Sequence, residues 1–374
     1  MRAPPRAFYG ARIPVTTRPL PRLLKGPHAS PDPPNAPVSR QPSEVLMEPQ
    51  ASRRSLLALA AAALLPLTAC SAATTDSAAG SGGAKGPTVR VAVGVDASYA
   101  PFFLADAQGL WAKHGVDVRL VQFGSGGEGV DALATGQVQL AGNSDTTTIG
   151  KLQQNPGLRA LMIYEESGRY LKVVLGPKVT SAAKIRRMAI VPGLSELAAT
   201  RYLRSKGIDT KSVDFVTADP PEIPALLQKG DVDAYVLWEP WPTKGAELGG
   251  RIVENTGDYG VSYAQWLIAD ESWLGANTAT AAKVAEALKD AAEQTESDPE
   301  AAAKATQKAA KIPAAQTLQA VKDIDFGARD ITSADLKTYD ATAQFYVDTG
   351  KVKARPDVAT AALRGWFTQH TKGS

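Results

Sequence analysis

From residue 88 onward, short runs of β-branched residues alternate with amphipathic stretches that end in glycine. Apolar residues at alternate positions mark half-buried strands, and apolar residues three and four apart mark helices. Val89 to Val95 reads as a strand, Phe102 to His114 as a helix stopped by Gly115, and Val116 to Phe123 as the next strand. Glu128 to Thr135 reads as a helix stopped by Gly136. Val138 to Gly142, Leu158 to Tyr164 and Leu171 to Leu175 read as strands. The order then recurs. Met188 to Val191 is a strand, Glu196 to Lys206 a helix stopped by Gly207, and Val213 to Thr217 a strand. Ile223 to Lys229 is a helix stopped by Gly230, and Val232 to Trp238 a strand. Gly115-Val116-Asp117 answers to Gly207-Ile208-Asp209, and Leu133-x-x-Gly136-x-Val138 answers to Leu227-x-x-Gly230-x-Val232, at offsets of 92 and 94 residues. Leu-x-x-Gly-x-Val is common wherever a helix turns into a strand, so one match would mean little; matched order and spacing mean more. Each glycine suits the left-handed helix end that a side chain disfavours.

One β-α-β-α-β pattern used twice predicts an α/β chain of two similar lobes, residues 88–176 and 177–263. Ligands in such sheets bind beyond the carboxyl ends of the strands. The chain is expected to return to the first lobe near Ala264 to Ala269. Within residues 264–374 the tail from Thr278 onward reads as helical and Ala-rich, with Pro299, Pro313 and Ser333 as start signals, and is expected to pack there. A hinge is expected near Leu175-Gly176-Pro177 and near Tyr263.

The first 87 residues follow no such pattern. Ser55 to Leu67 is almost all Leu and Ala. It is too short for a bilayer span of about 20 residues. Arg53-Arg54 precede it, and Leu67-Thr68-Ala69-Cys70 closes it. Together they resemble a bacterial lipoprotein signal, residues 47–69, whose cleavage leaves Cys70 as a lipidated N-terminus. A twin-arginine export signal is the minor alternative reading of Arg53-Arg54. The Pro- and Arg-rich stretch 1–46 cannot bury a core, and translation is expected to begin near Met47. Residues 70–87 read as a flexible linker of small residues.

This division changes the meaning of the charge. The whole chain carries 41 Lys and Arg against 38 Asp and Glu, a net +3, but nine of the bases and three of the acids lie in residues 1–69. The remainder is net −3, which gives no footprint for nucleic acid. Cys70 is the only cysteine, so no disulfide is expected. His114 and His370 are the only histidines after His28, which makes a Cys/His zinc site improbable. His114, just before Gly115, reads as a solvated helix end. There is no Gly-x-Ser-x-Gly elbow and no phosphate-binding Gly-x-x-x-x-Gly-Lys loop. No segment after the linker is apolar enough to span a membrane.

Nearly all of the chain after the linker resembles the periplasmic solute-binding proteins of ABC importers. The group is the one serving aliphatic sulfonates, taurine and nitrate, which also includes binders of thiamine-precursor pyrimidines. The resemblance rests on Ala100-Pro101-Phe102-Phe103-Leu104-Ala105 with Gly109-Leu110-Trp111, Gly115-Val116-Asp117-Val118, and Ala132-Leu133-Ala134-Thr135-Gly136-Gln137-Val138. Its most specific stretch is Asp231-Val232-Asp233-Ala234-Tyr235-Val236-Leu237-Trp238-Glu239-Pro240-Trp241. It implies a type II two-lobed binding-protein fold and reversible capture of a small solute with no covalent chemistry. It also implies delivery to a permease driven by an ATPase. A monomer on the outer face of a Gram-positive cytoplasmic membrane is expected, touching the membrane through its lipid anchor only and using no cofactor. The rival class is an enzyme resembling the pyrimidine-synthesising member of this group. That enzyme depends on a cysteine-rich motif with a reactive lysine and histidine, and this chain has no free cysteine or cleft histidine to match.

By the same analogy, ligand contacts are expected from Asp96, Ser98 and Tyr99 after the first strand, Ser125 and Gly126 after the second, and Ser144 and Asp145 after the third. Tyr164, Gly193, Ser195, Trp238, Glu239 and Trp241 complete the set. Helix N-termini offer free N–H groups to an anion. Ser144, Asp145 and Ser195 are also ordinary N-cap residues. Trp238 and Trp241 also read as packing, and Glu239 as one half of a salt bridge at the hinge. Asp96, Asp145, Glu165 and Glu239 would repel a bare anion unless they turn away or pair with Arg169, Lys172 or Lys244. Taurine, or a neutral or cationic heterocycle, would reconcile the carboxylates with the helix ends. Organic sulfonates are the first expectation and a thiamine-precursor pyrimidine the second.

Overall fold

Every strand and helix expected between residues 88 and 238 is present in the computed structural model, which describes residues 87–371. The leader, signal, Cys70 and nearly all of the linker lie outside the described residues. In chain order the first part runs β1 (Val89–Val93), α1 (Ala100–Gln108), α2 (Leu110–Lys113), β2 (Val118–Gln122), α3 (Gly126–Ala134), β3 (Leu140–Ser144), α4 (Asp145–Lys151) and β4 (Leu158–Ser167). The second runs β5 (Leu171–Leu175), β6 (Arg187–Ile190), α5 (Leu194–Ser205), β7 (Asp214–Thr217), α6 (Ile223–Lys229), β8 (Ala234–Trp238), α7 (Trp241–Glu247) and β9 (Arg251–Asn255). The remainder is β10 (Tyr263–Asp270), α8 (Glu271–Ser297), α9 (Pro299–Ala310), α10 (Ala314–Ala320), β11 (Asp325–Arg329), α11 (Ser333–Asp348), α12 (Val358–Ala361) and α13 (Trp366–His370).

The strands form two sheets, ordered β11-β4-β10-β3-β1-β2 and β7-β6-β8-β5-β9. In each, the first strand of the repeat lies between the second and third and runs parallel to both. An antiparallel strand then follows, β10 against β3 and β5 against β8. The sequence repeat is thus a repeat of topology. Its stop glycines share one conformation: φ is 71° at Gly115 and 69° at Gly207, 72° at Gly136 and 82° at Gly230.

Side chains alternate across the first sheet. Val91 and Val93 pack toward α1 and α8. Ala92, Trp266 and Ile268 pack on the opposite side with α3, α4 and α11, where Trp266 meets Tyr339 edge-on at 4.7 Å. Burial on both faces explains why the inner strands read as nearly continuous apolar runs. On α8 the buried positions are mostly alanine, including Ala281, Ala285 and Ala292, which lets its backbone come close to α1. His114 does not end in solvent alone: its Nε2 lies 2.8 Å from Asp290 on α8.

Four features differ from expectation. The helix from Phe102 to His114 is two helices, because Gly109 turns left-handed at φ 67°. The helix expected from Thr278 is the second segment of α8, which is bent at Asn277 (φ −133°). The strands β9 and β11 were not expected; both lie at sheet edges and mix charged with apolar residues, so neither shows a clean alternation. Finally, β5 belongs to the second sheet, paired with β8 and β9. The boundary placed after residue 176 therefore falls earlier, between β4 and β5, and Gly176 merely ends β5 against Asp233. A strand's own pattern states that it is buried, not which sheet holds it.

The chain crosses between sheets at residues 168–170 and again at 256–262. The crossings touch at Gly168 and Gly257, where the Gly257 N–H donates to the Gly168 carbonyl. A Cβ on Gly257 would lie 2.9 Å from that oxygen.

At Gly207 and Gly230 an added Cβ would meet nothing within 4 Å. Gly207→Ala and Gly230→Ala should therefore each lower stability by about 1 kcal/mol, through left-handed strain alone. Urea unfolding of the two variants and their double tests this. Unequal losses, or none, would show that the two helix ends are not equivalent.

Candidate functional site

The carboxyl ends of β1, β2, β3, β6 and β8 converge on a cavity of about 50 Å³ between the sheets. One water needs roughly 10–15 Å³ of such space, so the cavity suits a solute of few heavy atoms. It opens through Ser125, Gly127, Thr147, Val191 and Pro192 into an outer chamber of about 360 Å³. On another side, through Asp96, Gly124, Ser125 and Trp238, it meets a chamber of about 170 Å³ bounded by Trp241, Pro220 and Pro221.

Of the residues expected from sequence, Asp96, Ser98, Tyr99, Ser125, Gly126, Ser144, Ser195 and Trp238 line the cavity. The serines are occupied. Ser125 caps α3 by accepting from Glu128 N–H, and Ser144 caps α4 by accepting from Thr147 N–H. Ser195 Oγ donates to the Val236 carbonyl at 2.7 Å and accepts from Val191 N–H, which ties α5 to β8. What α3 and α5 present to the cavity is backbone: their first-turn amides at Gly126, Gly127, Leu194 and Ser195 have no intrahelical acceptor. Gly126 is close-packed, since a Cβ there would lie 2.1 Å from Asn143 Oδ1.

Five expected residues lie elsewhere. Gly193 lines the outer chamber; it has φ 103°, and a Cβ would sit 2.5 Å from Thr147 Oγ1 of the opposite half. Trp241 lines the third chamber. Glu239 turns away, as its salt-bridge reading allowed: Oε1 pairs with Lys172 at 2.9 Å and Oε2 accepts from Thr243 N–H. Lys172 also reaches Asp323 at 2.8 Å. Burial opposes its charge, but the two carboxylates outweigh it and raise its pKa. Arg169 and Lys244 pair with Asp325 and Glu247, so neither neutralises a cavity carboxylate. Tyr164 is fully buried behind the cavity, edge-on to Phe102. Asp145 caps its own backbone: it accepts from the Thr146 N–H and hydroxyl, and its Oδ2 accepts from Ala264 N–H at 3.3 Å.

The sequence reading missed Thr147, Tyr170, Leu171, Tyr263 as a wall residue, and Gln265. Tyr170 comes from the first crossing, and Leu171 opens β5. Gln265 is the lone amide in the apolar strand Tyr263-Ala264-Gln265-Trp266-Leu267-Ile268-Ala269, a signal that could have found it. Among the described residues lining the cavity there is no Lys, Arg or His, and Asp96 is the one carboxylate. Burial raises its pKa, opposed by bonds from Ser98 and Tyr170. Glu165, fully buried, is pushed well up by burial and by the Asp96 charge.

Burial pushes Asp145 from 3.8 up to about 7. The folded chain then keeps a proton that the unfolded chain releases, so stability should fall as pH rises from about 4 to about 7, by up to roughly 1.4 kcal/mol per pH unit. Asp145→Asn removes this proton. Its stability relative to the parent should climb across that window in urea unfolding, and a difference independent of pH would refute the assignment.

Residues 82–310 match the NMT1-like family. The taurine-binding periplasmic protein of Escherichia coli (strain K12) is 29% identical over 187 residues, 48% of this chain and 55% of that protein, so the match spans about half of its length. The alkanesulfonate-binding protein SsuA from Xanthomonas axonopodis pv. citri, solved with MOPS, superposes with a TM-score of 0.66 at 18% identity, over 75% of this chain and 99% of that one. The periplasmic nitrate-binding protein NrtA from Synechocystis PCC 6803 gives 0.60 at 17% identity, over 76% of this chain and 86% of that one. The two sheets have the periplasmic-binding-protein fold, which these solved structures share. The chain belongs to the NMT1-like family.

Proposed function

We propose that this protein is the extracytoplasmic solute-binding component of an ABC importer. It captures a small organic anion or zwitterion, an aliphatic sulfonate, taurine or nitrate, between its two sheets and passes it to a permease that an ATPase drives. The observation that carries this reading is the small cavity into which both halves project first-turn amides, of α3 and of α5. Such N–H groups hold an oxyanion without a cationic side chain. The match to a taurine-binding protein and the fold shared with alkanesulfonate- and nitrate-binding proteins support the same class. No covalent step is assigned: the relatives named are binding proteins. The protein acts as a monomer, exported and held to the outer face of a Gram-positive membrane through lipidated Cys70. Among the described residues no helix is long and apolar enough to cross a membrane.

A second reading, a thiamine-precursor pyrimidine, draws support from the cation-free lining and from the tyrosine and tryptophan walls, which suit a flat heterocycle.

Thermal unfolding of the full-length chain with taurine, alkanesulfonates, nitrate and pyrimidines tests the proposal. A true ligand at 100 times its Kd adds about 2.7 kcal/mol. Stabilisation by a pyrimidine and by no sulfonate would replace the first reading with the second. Trp238→Ala should weaken calorimetric affinity at least tenfold with the fold retained; unchanged affinity would remove that ring from the site. Cys70→Ser should move the protein from the membrane fraction to the medium.

A further inference from the structure

Ser98 sits at the centre of a short relay in the cavity wall. Its Oγ lies 2.7 Å from Asp96 Oδ1 and 3.2 Å from Gln265 Nε2. The hydroxyl has one proton, and it goes to the carboxylate. The Gln265 contact must then be a donor, which fixes the amide with its NH₂ on Ser98 and its Oε1 pointing away. That Oε1 is buried and has no partner. Asp96 is equally one-sided. Ser98 N–H, Ser98 Oγ and Tyr170 Oη all converge on Oδ1, at 2.9, 2.7 and 3.0 Å, and Oδ2 takes no bond from a described residue. Both side chains line the cavity. Behind them Glu165, opposite Gln265 in the β4–β10 register, has a buried, unpartnered Oε2, while its Oε1 accepts from Tyr263.

At Asp96 and Gln265 the wall therefore turns acceptor oxygens to the cavity. A buried acceptor left unmet, as Gln265 Oε1 is, costs roughly 1–3 kcal/mol, and a group with several N–H donors would meet it together with Asp96 Oδ2. The rings of Tyr99, Tyr170 and Tyr263 border the same space, and aromatic faces favour a cation over an anion. Resting on the solute-binding reading above, we propose that Asp96, Ser98 and Gln265 form a subsite for a cationic N–H head group, a primary ammonium or a protonated amino-heterocycle. The protein would then select amino-bearing solutes and reject plain sulfonates and nitrate.

Calorimetry of the full-length chain with taurine, ethanesulfonate, nitrate and 4-amino-2-methylpyrimidine tests this. Taurine and ethanesulfonate share the sulfonate and differ in the ammonium. Taurine should bind at least tenfold tighter, and Asp96→Asn should bring the two within about twofold. Gln265→Met, which keeps size and removes the acceptor, should narrow the gap as well and stands in if Asp96→Asn does not fold. Binding of the aminopyrimidine with neither sulfonate would support the subsite and assign its occupant to a heterocycle. Equal binding of the two sulfonates, or tight nitrate binding, would overturn the subsite and leave the solute-binding function intact. Binding of none of the four would overturn both.

Discussion

The Tyr170 hydroxyl is a buried point at which the two halves of the protein are tied together. Ala97 N–H donates to it at 3.2 Å from the loop after β1, and its own proton is offered to Asp96 Oδ1 at 3.0 Å and the Glu239 carbonyl at 3.1 Å. Only one of those acceptors receives it. The loop after β1 in the first sheet and the loop after β8 in the second are thus pinned to one atom of the crossing that joins them. The node is buried, and buried polar groups hold a geometry firmly only when their bonds are made. Asp96 keeps its place in the cavity wall because this node and Ser98 hold one of its oxygens.

The local grammar of strand, helix and stop glycine was legible because each signal lies within a few residues. Gly115 and Gly207 could be matched without knowing what surrounds them, and the loops after β1, β2, β3, β6 and β8 followed from where those strands end. The chain's returns were less legible. β5 and β10 are both apolar runs with an antiparallel neighbour, yet one completes the second sheet and the other the first. The same gap explains the site. Ser125, Ser195 and Trp238 sit on the repeated unit and could be read from it, whereas Tyr170, Tyr263 and Gln265 arrive from the crossing and the returning strand. Asp145 and Glu239 were misplaced for another reason. A carboxylate at a strand end has nearby backbone N–H groups or a lysine, and those claimed it before any cleft could.

An anion in this cavity would meet dipoles in place of charges. Lys172 is committed to Glu239 and Asp323. A hydrogen bond to a charged group contributes roughly 1.5–3 kcal/mol, so a few amides from α3 and α5 suffice to hold a small oxyanion without a fixed positive side chain. The arrangement also limits what enters. A bare anion close to Asp96 gains the amides but meets a like charge, whereas a solute carrying both signs gains at both places. The wall and the helix ends therefore work as one selector.

Closure follows from the same division of labour. At the mouth Lys351 reaches Glu196 of α5 at 2.8 Å, and Gly193 rests on Thr147. The lysine end is half exposed while Glu196 is buried; a single pair with one end in water contributes little, so this contact alone holds the halves together weakly. On the crossing side the link is firm: one apolar cluster runs through Tyr170, Leu171 and Tyr263 into both halves. The mouth is thus the side free to part. A solute touching Gly126 from the first half and Ser195 or Trp238 from the second makes all of its contacts only when the mouth is shut. Its differential affinity for the shut form, and not the strength of any contact across the rim, sets how far the equilibrium moves.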